Sequence, residues 1–415
     1  MSYFNKIKIN TDDATGDAFS RLRVSQPENL FNVQCQYTRA AIQMESGNTG
    51  SGTLPAHDAN TRMVALVSTG TGTSFMQSYS YIPYQPGKSQ FIALTGVIGA
   101  AVAGATVDLG YFDPLNGIFL RQNGTTNLQI VRRTSTSGSV VETAVASTSW
   151  NIDKLDGTGV SGKTLDITKA QILVIDLQFL GMGRVRIGFD LDGVICFAHQ
   201  FLNANSLAVP YMQSASLPIG MLVTTTSGAK TSYFKCAAVH SEGGNLDLFG
   251  YMLATPDMTV TAGSGTRTPI VAIRPKTTYN SIPNRQYNEV IDLQMIVTGA
   301  KPVFWELVVG GTYSGQAWGD VNTSYSGLEY SSTQGTYTNL TGGAVIANGY
   351  LASGGAGGTQ PAVTPIPLPP NLSKKWPISL DRAGAVRAMG TYTLLVTGIG
   401  GTSDVRASIN YKEIR

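Results

Sequence analysis

The chain has 415 residues, of which 42% are hydrophobic, 13% are charged and 47 are glycine, and its net charge is +3. That length exceeds one ordinary core and argues for two domains with connecting pieces; the low charge with abundant Gly, Ser and Thr is the profile of short strands joined by tight turns. Recurrent Val, Ile, Leu, Tyr and Phe exclude a disordered chain, and the basic residues are too few and too scattered to track a phosphate backbone, so no nucleic-acid partner is expected.

Residues 1–34 read as an extended N-terminal arm. The first ten residues lack the apolar stretch and cleavage site of a signal peptide. Leu22 and Val24 alternate with Arg21, Arg23 and Ser25, a strand pattern ahead of Pro27. Phe19, Leu22, Val24, Leu30 and Phe31 form an apolar set on a segment too short for its own core. A terminal strand of this kind pairs with a neighbour's sheet edge as easily as with its own. The expectation is that these five anchor the chain to a partner, while Arg21 and Arg23 face the partner's acidic or carbonyl groups. The alternative is that the arm folds back as an edge strand of the first domain.

Residues 35–245 read as a β-sandwich domain. Short strand runs are separated by Pro86-Gly87, Asp113-Pro114, Asn116-Gly117 and Asn123-Gly124, and Asn-Gly between such runs is the strongest short hairpin signal. Gln171–Leu180, Arg184–Phe189 and Val194–Phe201 then form a meander, with Val185, Ile187 and Phe189 inward and Arg184 and Arg186 outward. Asp176 interrupts an apolar strand and is expected to pair with Arg184 or Arg186 across the turn. Asp190 and Asp192 precede Gly193; the hairpin reading is preferred to a calcium loop or a carboxylate pair. His57, His199 and His240 stand apart in sequence. Cys35, Cys196 and Cys236 lack C-x-x-C spacing and read as buried small hydrophobes. No catalytic residue, metal or cofactor is assigned.

Residues 246–415 read as a second β-sandwich domain with Gly- and Pro-rich loops. Thr391–Gly398 and Asp404–Glu413 are expected to pair with each other. Trp318, Tyr325, Tyr330 and Tyr337 lie in Ser/Thr/Gly-rich surroundings and are candidate contacts to glycan or to a sister subunit. No run of about 18 apolar residues occurs, so no membrane span is expected. The fold class is therefore all-β: two jelly-roll-like sandwiches behind an extended arm.

The segment Asp17–Phe31, DAFSRLRVSQPENLF, resembles a D-A-F-G-R-L-R-V-S-x-P-x-x-L-F segment of tailed-bacteriophage virion structural proteins, with Ser20 standing where the pattern has Gly. Tyr111–Leu120, Trp150–Gly159, Leu180–Phe189, His199–Asn205 and Ser408–Arg415 are similar to segments of the same family, so the resemblance spans most of the chain. It implies a non-enzymatic component of a virion, assembled in the host cytoplasm: a head decoration, head fibre or tail accessory protein. The implied partners are sister subunits, as a homotrimer, and capsid or tail proteins. The alternative is a carbohydrate-binding phage adhesin that contacts a host surface glycan. A glycan-degrading enzyme is the third reading, and it needs two carboxylates converging in a groove.

Overall fold

A computed structural model describes residues 17–19, 27–243, 250–314, 316–331, 338–353, 365–369 and 372–415. The fold is all-β, with 54% of the described residues in strand and 3% in helix. It divides into two compact units, one of residues up to 78 and from 82 to 243, the other of residues 250–415 with Tyr79–Tyr81. The expected boundary at 245–246 lies outside the described residues.

The first unit runs β1 (Glu28–Gln34), β2 (Met44–Gly52), β3 (Ala56–His57), β4 (Val64–Ser78), β5 (Ser89–Val97), β6 (Ala105–Phe112), β7 (Gly117–Asn123), β8 (Gln129–Thr134), β9 (Val141–Ala146), β10 (Gln171–Leu177), β11 (Val185–Leu191), β12 (Val194–Phe201), β13 (Ile219–Thr225) and β14 (Ala229–Glu242). All fourteen are hydrogen-bonded into one sheet, ordered β12-β11-β10-β5-β14-β4-β13-β6-β7-β8-β9, with β1 on β14 and β2 and β3 on β4. Its two wings close on one core because β14 changes partner midway. Ala229–Phe234 pairs with β4, Tyr233–Glu242 with β5 through a register shift between Phe234 and Cys236, and Cys236–Ser241 with β1. Leu94, Ile175 and Ile187 from one wing share that core with Leu109, Leu120 and Met221 from the other.

The meander forms as its alternation dictates. Val185, Ile187 and Phe189 are wholly buried in the core, and β10, β11 and β12 pair antiparallel in order. Asp192 and Gly193 both adopt positive φ, 56° and 78°, the two-residue hairpin geometry that Asp-Gly favours.

The arm expectation is corrected over residues 28–34. This stretch is β1, paired in antiparallel register with β14 from Glu28↔Ser241 to Gln34↔Cys236. Leu30, Phe31 and Val33 are buried in the first unit's own core. A register shift between Asn29 and Phe31 lets the adjacent Leu30 and Phe31 both turn inward, so neither has apolar surface left for a partner.

The second unit runs β15 (Tyr251–Ala254), β16 (Met258–Ala262), β17 (Thr268–Pro275), β18 (Thr278–Tyr279), β19 (Ile282–Pro283), β20 (Tyr287–Val297), β21 (Val303–Val309), β22 (Thr312–Ser314), β23 (Trp318–Asp320), β24 (Leu328–Ser331), β25 (Thr338–Thr341), β26 (Ala344–Leu351), β27 (Ile366–Pro367), β28 (Tyr392–Gly398) and β29 (Ser403–Ile414). Two sheets, β15-β29-β20-β27 with β16 also on β29, and β23-β24-β17-β28-β21-β26, enclose a second core. Leu293, Met295, Ile409 and Tyr411 meet Ile273, Leu307, Leu394 and Val396 there. β28 and β29 do not pair with each other, contrary to the sequence expectation. Tyr392–Gly398 lies between β17 and β21, while Ser403–Ile414 lies in the other sheet beside β20. Each of the two strands buries its apolar residues, so both satisfy their pattern by facing each other across the core. Pro367 sits in β27 at the end of a sheet, where a missing N–H costs least.

Candidate binding strip on the second unit

Alternation along β17 sends Ile273 into the core and Arg274 to the opposite face. Register carries that face across two more strands: Arg274 stands opposite Glu329 of β24, and Glu329 opposite Asp320 of β23. Trp318, two residues before Asp320, shares the face. Arg274 Nε donates to Glu329 Oε2 at 2.7 Å, and its guanidinium lies 3.9 Å from the centre of the Trp318 ring. Further along, Lys276 Nζ lies 3.1 Å from Asp320 Oδ1 and donates to the Asn322 carbonyl at 3.2 Å.

The chain then turns. Asn322 Oδ1 accepts the N–H groups of Ser324 and Tyr325 at 2.9 and 2.8 Å, an Asx turn that presents Tyr325 to solvent at 66% exposure. The Tyr279 hydroxyl donates to the Ser324 carbonyl at 3.0 Å. Arg415 donates to the Tyr325 carbonyl, and its guanidinium lies 4.4 Å from the Tyr251 ring centre and 4.6 Å from that of Tyr279. Glu413, wholly buried, fixes this end. It accepts from Ser326 Oγ at 2.7 Å, from the Gly327 N–H at 3.0 Å and from Arg415 at 3.1 Å. Ser326 Oγ also lies 2.8 Å from the Tyr411 hydroxyl, whose pKa burial raises. The result is a continuous strip with an aromatic–guanidinium stack at each end and a lysine–aspartate pair between them. Trp318 to Asn322 covers four residue steps, roughly 13 Å at strand rise.

Two of the four sequence-predicted aromatics, Trp318 and Tyr325, are therefore in the strip. Tyr330 is not: it packs against the second core, on the face opposite Glu329. Tyr337 lies outside the described residues. Sequence reasoning missed Tyr251, Arg274, Lys276, Tyr279 and Arg415, which come from three separate stretches of the chain, around 251, 274–279 and 415; no local signal joins the three. Of the proposed anchors, Phe19 is half-buried, Leu30 and Phe31 are core, and Arg21, Leu22, Arg23 and Val24 lie outside the described residues.

The first unit holds its ionic groups differently. Asp176 pairs with Arg186, as the sequence suggested, but both are wholly buried rather than outward and solvated. Ser89 Oγ donates to Asp176 at 2.9 Å, and the Arg186 guanidinium stacks 4.3 Å from the Phe197 ring centre. Nearby, Arg184 donates to the carbonyls of Ala18 and Asp17 at 3.2 and 3.3 Å. Asp108 and Glu142 converge, yet Arg121 donates to both and Arg133 to Glu142, while each guanidinium stacks on Phe119. Burial raises the Asp108 pKa; burial would raise that of Glu142 too, but hydrogen bonds from Arg121 and Arg133 hold it down. A carboxylate saturated by arginine is a poor general acid or base.

Asp192, at the tip of the hairpin, accepts from Lys163 Nζ of the stretch before β10 at 2.6 Å. His199 accepts the Asn151 N–H at Nδ1, and burial lowers its pKa to about 4. Burial pushes the Cys35 thiol up to about 12. Among the described residues no three His, Cys, Asp or Glu side chains are grouped to hold a metal ion, and no helix is long and apolar enough to cross a membrane.

No family model and no curated protein matches the chain. Solved structures similar to it include an endo-acting O-glycanase of the human gut microbiota (13% identity, 52% of this chain, all of that one, TM-score 0.37). They also include the carbohydrate esterase vb_24B_21 of Shiga toxin-encoding bacteriophage phi24B (10%, 52%, all of that chain, 0.31). A family 16 glycosyl hydrolase of Mycobacterium smegmatis matches at 12% identity over 51% of this chain and all of its own, with a TM-score of 0.33. Similarity this remote carries no argument about activity. The protein is all-β and of two units, the second with a polar, aromatic-capped strip.

Proposed function

We propose that this chain is a non-enzymatic binding protein that holds a carbohydrate along the strip from Trp318 to Tyr251. The supporting observation is the make-up of the strip: a half-buried Trp318 ring at one end, exposed Tyr251 and Tyr325 rings at the other, and hydrogen-bonding groups fixed between them. Rings give a sugar's C–H face an apolar seat, and a few placed polar groups orient its hydroxyls. Arg274 and Arg415 are each held by a carboxylate and by aromatic stacking, which limits the ordering cost of binding.

The tailed-phage virion setting is a second part of this reading and rests on the Asp17–Phe31 resemblance. There the chain serves as a head or tail accessory protein that meets sister subunits and other virion proteins, and the strip meets a host glycan.

The test is a glycan array probed with the full chain and with a Tyr251→Ala/Tyr325→Ala variant. Retention on a defined set of glycans, lost in the variant, is the expected result. Retention on none, or retention unchanged in the variant, overturns the proposal.

A further inference from the structure

We infer that the ligand of this strip is a neutral oligosaccharide and that the strip rejects acidic ones; this rests on the carbohydrate-binding reading above. The observation is the charge pairing. Each cation on the strip has its own carboxylate: Arg274 with Glu329 at 2.7 Å, Lys276 with Asp320 at 3.1 Å, Arg415 with Glu413 at 3.1 Å. No cation among these three is left over for a sugar carboxylate or sulfate.

Two of the three carboxylates also reach the surface. The Asp320 side chain is 37% exposed and that of Glu329 is 25% exposed. An acidic sugar laid between Trp318 and Tyr325 would bring its own negative charge against both. Like-charge juxtaposition is an effective device for excluding wrong partners. A neutral sugar meets no such penalty. Its hydroxyls both donate and accept, and an arginine–carboxylate pair offers donors and acceptors side by side. The same pairing predicts weak dependence on salt, because binding neutralises no net charge.

The experiment titrates the full chain with a neutral linear oligosaccharide and with its uronic-acid or sialylated counterpart, at about 50 and 500 mM salt, where the Debye length shrinks severalfold. Expected are binding of the neutral ligand that changes less than about twofold with salt, and acidic binding about tenfold weaker or worse. The double variant Glu329→Gln/Asp320→Asn should gain acidic binding at low salt and lose it at high salt. Tighter acidic than neutral binding by the native chain, falling steeply with salt, overturns this inference and leaves the carbohydrate reading standing. Binding of neither ligand overturns both.

Discussion

Replacing Asp176 by Ala tests the account of the first unit most directly. Both Asp176 and Arg186 are wholly buried, so the variant takes from Arg186 the carboxylate it pairs with in the packed wing. Breaking a buried pair by removing one partner costs about 3–5 kcal/mol. The Ser89 hydroxyl also loses its acceptor, and the stack of Arg186 on Phe197 at 4.3 Å is common to both chains and offsets none of the loss. A net loss of about 3–5 kcal/mol results, which for a unit of this size lowers the midpoint by roughly 6–20 °C. Differential scanning calorimetry of the full chain resolves this in the transition of the first unit. The double replacement Asp176→Leu/Arg186→Met should recover most of the loss, since a well-packed apolar pair avoids the desolvation cost. Lys163→Ala, which breaks the exposed pair with Asp192 without touching the turn, should leave the midpoint unchanged. A drop of less than about 2 °C in Asp176→Ala, on the same scale of degrees per kcal/mol, would refute the reasoning.

Three further outcomes are expected. Deleting residues 1–34 removes β1 with Leu30, Phe31 and Val33, each worth roughly 1.5–3 kcal/mol when buried; the truncated chain should melt well below the intact one, and an unchanged melt would show that β1 is dispensable. Gly110→Ala places a Cβ 2.6 Å from the backbone of Phe119 and should cost about 1–3 kcal/mol by urea denaturation. His199 has a folded pKa of about 4 against an ordinary 6.5, so the unfolded chain binds the proton first. Its contribution is complete above pH 6.5 and is lost as pH falls toward 4, and His199→Gln should flatten that part of a stability–pH profile.

Fold class was legible in the sequence because it depends on short-range pattern. Alternation in Val185–Phe189 and the Asp192-Gly193 turn dictate a meander wherever the strands go. The Asp176–Arg186 pair was legible for the same reason, since a tight turn places the two strands in register. Their burial was not, because it depends on what covers the outer face of the sheet, and Asp17 and Ala18 reach it from some 160 residues away. The fate of Leu30 and Phe31 was likewise open: an apolar edge strand suits its own sheet or a neighbour's equally, and only the free side of β14 decided between them. In the second unit, Trp318 and Tyr325 could be singled out by their polar surroundings, but Tyr330 could not be separated from them, since which face a strand residue takes is set by its partner's register. The strip itself belongs wholly to the tertiary structure. Arg415 meets Tyr251 and Tyr279 because β29 and β15 pair at one sheet edge and the Asn322 turn closes over them, a juxtaposition of three distant segments that no local periodicity encodes.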